Sequence, residues 1–327
     1  MSNANSANIT TVSITGAGGS IGKKLAEYLC ENSDYKLILN YFNEKDVPQR
    51  FKKDSARYKK VTGDMCDRNI LARIMQNTDC LIHLAQSVNP KKYAVDWQNA
   101  AFHSSESTFT LFEYLKTHNR KIHLIFPSSG GTVYSSKEKI PFKETDALKP
   151  ISPYGIQKVM FENYLSLLLQ INPNITCNIL RISNPYGSVL ESERAQGFIG
   201  IALNKIRSNE LIEIWGTLDY IRDYLYIDDL SEAFLKSISY QNGLSVFNIG
   251  SRAGTSLKRI LDILSKNTCK KINYKITESG FNSYLPPWNV LDCSKAEKEL
   301  NWIPKTSIEE GIANVINQEN SMADKCF

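Results

Sequence analysis

Two short segments of this chain carry residue types and spacings that can do chemistry. Tyr154-Gly-Ile-Gln-Lys158 places a phenol and an ammonium four residues apart, and on a helix that spacing puts both on one face. A free tyrosine titrates near about pH 10. A neighbouring ammonium, together with the positive ring of an oxidised nicotinamide, favours the phenolate and lowers that value. A tyrosine so tuned takes a proton from a sugar or alcohol hydroxyl as hydride leaves its carbon. Lys158 also has the reach to hydrogen-bond a nicotinamide ribose. Far upstream, Ile14-Thr-Gly-Ala-Gly-Gly-Ser-Ile-Gly22 sets Gly16, Gly19 and Gly22 three residues apart. Gly16 allows a tight turn, Gly19 lets the backbone approach a pyrophosphate, and Gly22 lets a helix pack closely on a strand. The N-terminus of the helix that follows offers free N–H groups and a positive dipole end to phosphates, with Ser20, Ile21 and Gly22 as cofactor-binding candidates.

Context decides how much each segment means. The Tyr-x-x-x-Lys spacing recurs at Tyr41-Phe-Asn-Glu-Lys45, but that copy follows the second expected strand, far from any nicotinamide. Tyr154 instead follows Ser152-Pro153, which opens a long helix. Upstream of it lies a strand ending in Pro127-Ser-Ser-Gly-Gly-Thr-Val-Tyr134. Hydroxyls there, Ser129 and Thr132 among them, suit polarisation of a reacting oxygen. NAD-binding sheets usually end the second strand with an acid that holds the adenosine ribose; here Asn40 stands in its place. Asn hydrogen-bonds a hydroxyl without repelling a 2′-phosphate, and Lys45 and Arg50 are near, so NAD and NADP both remain open. Asp64 and Met65 end the third strand, placed for the adenine. Leu84 and Ala85 close the fourth, on the nicotinamide side. Cys80 and His83 read as core packing rather than ligands.

The elements that must position these residues are legible as a rhythm. Strand patterns at 9–15, 35–41, 60–62, 79–85, 121–126 and 176–182 alternate with helical patterns at 22–32, 69–76, 107–117 and 154–171. Alternation of this kind implies βαβ units and a parallel sheet. Right-handed crossovers then give an α/β, doubly wound Rossmann sheet with helices on both faces. After Asn184-Pro185 the rhythm breaks at Trp215-Gly216, Asn242-Gly243, Gly280 and Pro286-Pro287. The expected division is a dinucleotide-binding domain over 1–180 and a smaller C-terminal α/β lobe over 181–327. A segment within 224–250 is expected to return to the first.

Composition narrows the class. Lys and Arg total 39 against 34 for Asp and Glu, a net charge of +5 without a block of like charges. Nucleic-acid binding is therefore not indicated. No apolar run reaches the ~18 residues of a membrane span, and the polar first eight residues lack the apolar region of a secretory signal. The seven cysteines are scattered, odd in number and without a CxxC pair. That argues against a disulfide framework or a metal site and for a reducing cytoplasm.

Taken together, these motifs resemble the extended short-chain dehydrogenase/reductases, and more narrowly the nucleotide-sugar 4-epimerases of the UDP-glucose 4-epimerase type. The resemblance runs through the glycine turn, Gly63-Asp64, His83-Leu-Ala85, residues 128–134 and 152–158, and Leu180-Arg-Ile-Ser-Asn-Pro-Tyr-Gly187. It continues in Ile221-Arg-Asp-Tyr-Leu-Tyr-Ile-Asp-Asp-Leu230, Phe247-Asn-Ile-Gly250, Val290-Leu-Asp-Cys-Ser-Lys295 and Leu300-Asn-Trp302. It implies Tyr154 and Lys158 as the catalytic pair, aided by Ser129 or Thr132, with NAD or NADP as cofactor. It also implies a nucleotide-sugar-binding C-terminal lobe. There Asn184 contacts the diphosphate region of a UDP- or dTDP-hexose, and Arg222 pairs with a phosphate through its guanidinium fork.

Two positions depart from the family pattern. Gly130 stands where a hydroxyl partner of the tyrosine is usual, and Asn282 stands where relatives often carry a second phosphate-binding Arg. Gly131 and Thr132 occupy the positions of the Asp-Glu pair of the 4,6-dehydratases, which makes a dehydratase the wrong reading. The expected reaction is a 4-epimerisation through a transient 4-keto-sugar, in polysaccharide biosynthesis. The alternatives are an NADPH-dependent nucleotide-4-keto-sugar reductase and a non-catalytic dinucleotide-binding module. Relatives suggest a homodimer through two helices of the first lobe, here 107–117 and 154–171.

Overall fold

The computed structural model describes residues 9–86, 97–135, 141–187, 197–277 and 286–323. Gly280, Asn282 and the first eight residues lie outside the described residues. The chain opens with β1 (Thr11–Thr15), in which Thr, Val and Ile supply β-branched side chains and all five residues are buried. It continues through α1 (Ser20–Asn32), β2 (Lys36–Tyr41), β3 (Tyr58–Thr62), α2 (Arg68–Met75), β4 (Cys80–His83), α3 (Trp97–Lys116) and β5 (Ile122–Ser129). Next come α4 (Gly130–Val133), α5 (Pro153–Ile171), β6 (Ile175–Ile182), β7 (Asn184–Tyr186), α6 (Gly197–Arg207), β8 (Ile212–Trp215) and β9 (Ile221–Tyr226). The last elements are α7 (Ile227–Ile238), β10 (Leu244–Ile249), β11 (Gly254–Ser256), α8 (Leu257–Thr268), β12 (Tyr274–Thr277), β13 (Trp288–Asn289), α9 (Ser294–Leu300) and α10 (Ile308–Ala323). Among the described residues, no helix is long and apolar enough to cross a membrane.

Two units make up the chain. The first takes residues 1–129, 152–181 and 231–247; the second takes 130–151, 182–230 and 248–327. The first unit is the expected doubly wound sheet, with seven strands in the order β10-β6-β5-β4-β1-β2-β3. The pairs β1–β2, β1–β4, β2–β3 and β4–β5 are all parallel. Strand order runs outward from β1 to β2 and β3, then resumes on the other side with β4, so the direction of winding reverses between β1 and β4. Ligands of such sheets bind in the crevice at the carboxyl ends of the strands flanking this reversal.

Helices α3 and α5 belong to this unit. Phe109, Phe112, Phe126 and Phe161 meet edge to face or tilted, with centroids 5.7–6.2 Å apart. Ser152 caps α5 by accepting from the Gly155 N–H at 3.1 Å, and Pro153 occupies its first turn. At the far end Asn172 donates to the Leu115 and His118 carbonyls, both at 2.8 Å, and so fastens the last turn of α5 to that of α3. The periodicity of 107–117 captured only half of α3, which begins at Trp97. Its early turns are met by polar contact, since Gln157 donates to the Ala101 carbonyl at 2.9 Å and to Ser105 Oγ at 2.6 Å. An apolar pattern does not register such a face.

The second unit carries more regular structure than its broken rhythm suggested. Its β9 is paired in parallel with β7 and β13 and antiparallel with β11, and β8 pairs with β12. Strands of two to six residues are too short to leave a readable alternation. Asn248 ties several loops here: its amide donates to the Phe142 and Asp292 carbonyls and accepts from the Tyr134 hydroxyl.

One buried ion pair fixes α5 on the sheet. Arg181 of β6 donates through Nη2 to Glu162 Oε2 at 2.7 Å and through Nε to both carboxylate oxygens at 3.2 Å. Both side chains are under a tenth exposed. Ser128, near the end of β5, donates its hydroxyl to the same carboxylate. Removing one partner strands a buried charge. Arg181→Met is therefore expected to destabilise the protein by about 3–5 kcal/mol, and Glu162→Met combined with it to recover most of that loss. Urea unfolding of the two variants measures this; equal losses in both would mean the pair is not desolvated.

Candidate active site

The turn after β1 is shaped by what cannot be there. Gly16 sits at φ +67°, and a Cβ on it would lie 2.8 Å from the Ala85 nitrogen and from the Leu84 carbonyl carbon. A Cβ on Gly22 would overlap the Gly16 carbonyl oxygen. Gly19 donates its N–H back to the Gly16 carbonyl at 3.0 Å and then becomes the residue before α1. That end of the helix has no capping side chain and no acid in its first turn. The N–H groups at Ser20, Ile21 and Gly22 therefore start a helix whose positive end is left open by its own first turn. A diphosphate fits that start.

The strand ends around this turn are differently committed. Leu84 donates its N–H to the Thr15 carbonyl, and Ala85 donates to Thr15 Oγ1, each at 3.2 Å. Asp64 Oδ1 accepts from the Cys66 N–H at 2.9 Å, folding the end of β3 into a turn. Met65 packs into the hydrophobic core, so its side chain is spoken for. Asn40, expected to face a ribose, turns inward instead. Its amide donates to the Val61 and Gly63 carbonyls at 3.2 and 3.1 Å, and its oxygen faces the Gly16 N–H at 3.5 Å. Burial on β2 gives it these backbone partners, and a ribose contact would cost them. His83 and Cys80 are core, as expected. His83 lies between Thr15 and Thr108 hydroxyls and stacks on Phe126. Burial and the charge of Lys158 hold its pKa down to about 3, so the ring is neutral. Burial pushes the Cys80 thiol up.

Tyr154 and Lys158 share one face of α5, with Nζ 5.4 Å from the centre of the phenol ring. Lys158 is 2% exposed. Its ammonium donates to Gln86 Oε1 at 2.7 Å and to the Pro127 carbonyl at 2.8 Å, and lies 5.5 Å from the Phe126 ring. Burial lowers its pKa to about 7, while the carboxylate of Glu162, one helical turn on, pulls the other way. The duplicate spacing at Tyr41 and Lys45 makes no such pair. Tyr41 ends a strand with its phenol buried, and Lys45 is exposed on a single 3₁₀ turn (Glu44–Asp46). Ser129 ends β5 half-buried, whereas Ser128 beside it is tied to Glu162.

In the second unit, Thr132 and Gly131 lie on the one-turn helix α4. A Cβ on Gly131 would lie 3.6 Å from Asn184 Oδ1, so Asn184 sits against this turn. Asn184 Nδ2 donates to the Asp223 carbonyl at 2.9 Å. Arg222 lies on β9 with its guanidinium 5.1 Å from the Tyr220 ring centre and Nη1 on the Ile221 carbonyl at 2.7 Å. Asp223 points elsewhere: its carboxylate accepts from Ser251 N–H and Oγ and from the Leu291 N–H, at 2.6–3.2 Å.

Three residues that sequence reasoning passed over matter to this arrangement. Gln86 receives the Lys158 ammonium, Glu162 favours its charged form, and Arg181 holds Glu162 in place. Each had a signal: a polar residue directly after Leu84-Ala85, a carboxylate four positions past the lysine, and a lone Arg inside the apolar run Asn178-Ile-Leu-Arg-Ile182.

Comparison with known proteins identifies the family. The family model described as the NAD dependent epimerase/dehydratase family matches residues 12–250. A dTDP-4-dehydro-6-deoxyglucose reductase of Escherichia coli is 32% identical, over 93% of this chain and 96% of its own. A putative UDP-glucose 4-epimerase of Methanocaldococcus jannaschii is 27% identical with the same coverage. Among solved structures, the UDP-glucose 4-epimerase of Thermotoga maritima, determined with UDP-glucose, is 26% identical at a TM-score of 0.83. That match covers 96% of this chain and 100% of the other.

The buried lysine has a measurable consequence. Its folded pKa of about 7 lies below the unfolded value of 10.5. Between these values the unfolded state binds the extra proton, so stability from this group rises with pH through that window and is flat below it. The unfolding free energy of the native chain minus that of Lys158→Met should grow between pH 7 and 10, by at most about 1.4 kcal/mol per pH unit. Urea titrations at several pH values test this; a flat difference would place the ammonium in water.

Proposed function

The chain belongs to the NAD dependent epimerase/dehydratase family, and from that premise we propose that it is a nucleotide-sugar 4-epimerase acting through a transient 4-keto-sugar. It is an NAD(P)-dependent enzyme, and a nicotinamide held at the glycine turn would supply a reversible hydride acceptor. The observation that carries the catalytic assignment is Lys158, its ammonium held between Gln86 and Pro127 and 5.4 Å from the Tyr154 ring. Tyr154 would take the proton of the sugar 4-hydroxyl as the 4-keto group forms, and would return it to that oxygen as the hydroxyl is restored with the opposite configuration. Lys158 favours the phenolate and hydrogen-bonds a ribose of the cofactor. Ser129 or Thr132 donates to the developing carbonyl in place of the hydroxyl missing at Gly130. Gly16, Gly19, Ser20, Ile21 and Gly22 hold the diphosphate of the cofactor; Asp64 and Met65 border its adenine, and Leu84 and Ala85 its nicotinamide half. Arg222 and Asn184 hold the diphosphate of a UDP- or dTDP-hexose.

A second reading, reduction of a nucleotide 4-keto-sugar, is favoured by the 32% identity to the Escherichia coli reductase. We further propose a homodimer joined through α3 and α5, since Phe102 on the first and Ile156, Tyr164, Leu167 and Ile171 on the second expose apolar side chains. The six described cysteines are all unpaired, which suits a reducing cytoplasm.

The deciding experiment denatures the purified protein, identifies any released nucleotide, and supplies fresh protein with UDP- and dTDP-hexoses. Interconversion of C4 epimers without net absorbance change is expected; stoichiometric NADPH oxidation by a keto-sugar would establish the reductase instead. Tyr154→Phe should cut turnover by about a hundredfold or more while dinucleotide binding survives. Arg222→Ala should raise KM for the sugar nucleotide about tenfold and leave dinucleotide affinity unchanged.

A further inference from the structure

We propose that Asp46, rather than the residue ending β2, reads the adenosine ribose and excludes a 2′-phosphate, giving the protein its preference for NAD over NADP. This role rests on the glycine turn holding a dinucleotide. In sheets of this type the ribose lies beyond the carboxyl end of β2, beside the turn. The end of β2 is laid directly on that turn here: the Ala17 N–H donates to the Asn40 carbonyl at 2.8 Å. Asn40 itself is 2% exposed and holds the Val61 and Gly63 carbonyls. The group that meets a ribose must therefore come from the segment downstream of β2.

The chain after Tyr41 curls through the 3₁₀ turn at Glu44–Asp46 and comes back to the glycines. The Asp46 N–H donates to the Asn43 carbonyl at 3.1 Å, and Val47 and Phe51 anchor the return in the core. A Cβ on Gly18 would lie 3.0 Å from Asp46 Cβ, 3.6 Å from its carbonyl oxygen and 3.5 Å from the Tyr41 ring. Asp46 is thus the acidic residue leaning on the turn. Its neighbour Glu44 is drawn away to Lys60 and to the Thr62 hydroxyl.

Two cations of this region are engaged. Arg50 donates to Glu31 at 2.6 Å and lies over Phe51, and Lys60 is paired with Glu44. Arg50 therefore does not offer the free guanidinium that a 2′-phosphate would call for. A carboxylate accepts hydrogen bonds from a 2′-hydroxyl and repels a phosphate in the same place, so one group supplies both the attraction and the exclusion.

ADP-ribose and 2′-phospho-ADP-ribose carry the distinguishing group and lack the reacting ring, so calorimetric titration with each reads recognition without turnover. The native protein is expected to bind ADP-ribose at least about tenfold more tightly at moderate salt. Asp46→Asn and Asp46→Ser should bring the two ligands to near parity, mainly by gaining affinity for the phosphorylated one, while Asp46→Glu keeps the preference. Thermal melting of each variant checks that the turn has not collapsed. Undiminished discrimination in both neutral variants, or a native preference for the phosphorylated ligand, would overturn the assignment to Asp46. Failure of the native protein to bind either ligand would overturn it together with the dinucleotide reading, and so separates the two.

Discussion

The dinucleotide side of this molecule depends on a steric constraint: the turn after β1 touches the segment after β4 backbone to backbone. Gly16 meets Leu84 and Ala85 with no space for a side chain, and Gly22 meets Gly16 in the same way. Because β1 and β4 are neighbours in the sheet, this contact fixes the height at which α1 begins. The helix start then faces the crevice where the sheet reverses its winding, with its N–H groups turned outward. The residues after β4 are drawn into the same knot. Thr15 receives the N–H groups of both Leu84 and Ala85, and Gln86 comes next, at the position from which its side chain reaches Lys158. The glycine turn and Lys158 are thus braced through one short stretch of main chain.

Lys158 lives with a compromise. Its ammonium is out of water, yet it is held by a carbonyl and an amide oxygen, and a carboxylate one turn along the helix leans its balance back toward the charged form. That carboxylate is itself neutralised by Arg181. Burial nonetheless wins, and the lysine's pKa sits at about 7. A fully matched ion pair at the lysine would have fixed the proton, and an apolar surrounding would have removed it.

The glycine turn and the Tyr154–Lys158 pair were legible because their chemistry is local. The first depends on absent side chains at fixed offsets, and the second on a helical spacing that Ser152 and Pro153 announce. The seven-stranded sheet followed from alternating periods. What stayed hidden was set by partners far along the chain. Gln86 and Lys158 are 72 positions apart, and only the sheet order brings them together. Asn40 stood at the expected place, but a strand residue's direction is fixed by its neighbours. Its register opposite Val61 on β3 turned the amide into the sheet. The first half of α3 was missed because polar contacts hold it, and the short strands around β9 because two to six residues show no period.

The Glu162–Arg181 pair also constrains how this protein can change over generations. Each charge is tolerable inside the molecule only because the other is present, so losing either one alone crosses a fitness valley that losing both does not. A change at one position is therefore best tolerated together with a matching change at the other. Since Glu162 also lies one turn from Lys158 and favours its charged form, the packing of α5 and the charge on Lys158 cannot change independently at this point. A lineage that discards the pair must retune its lysine in the same step.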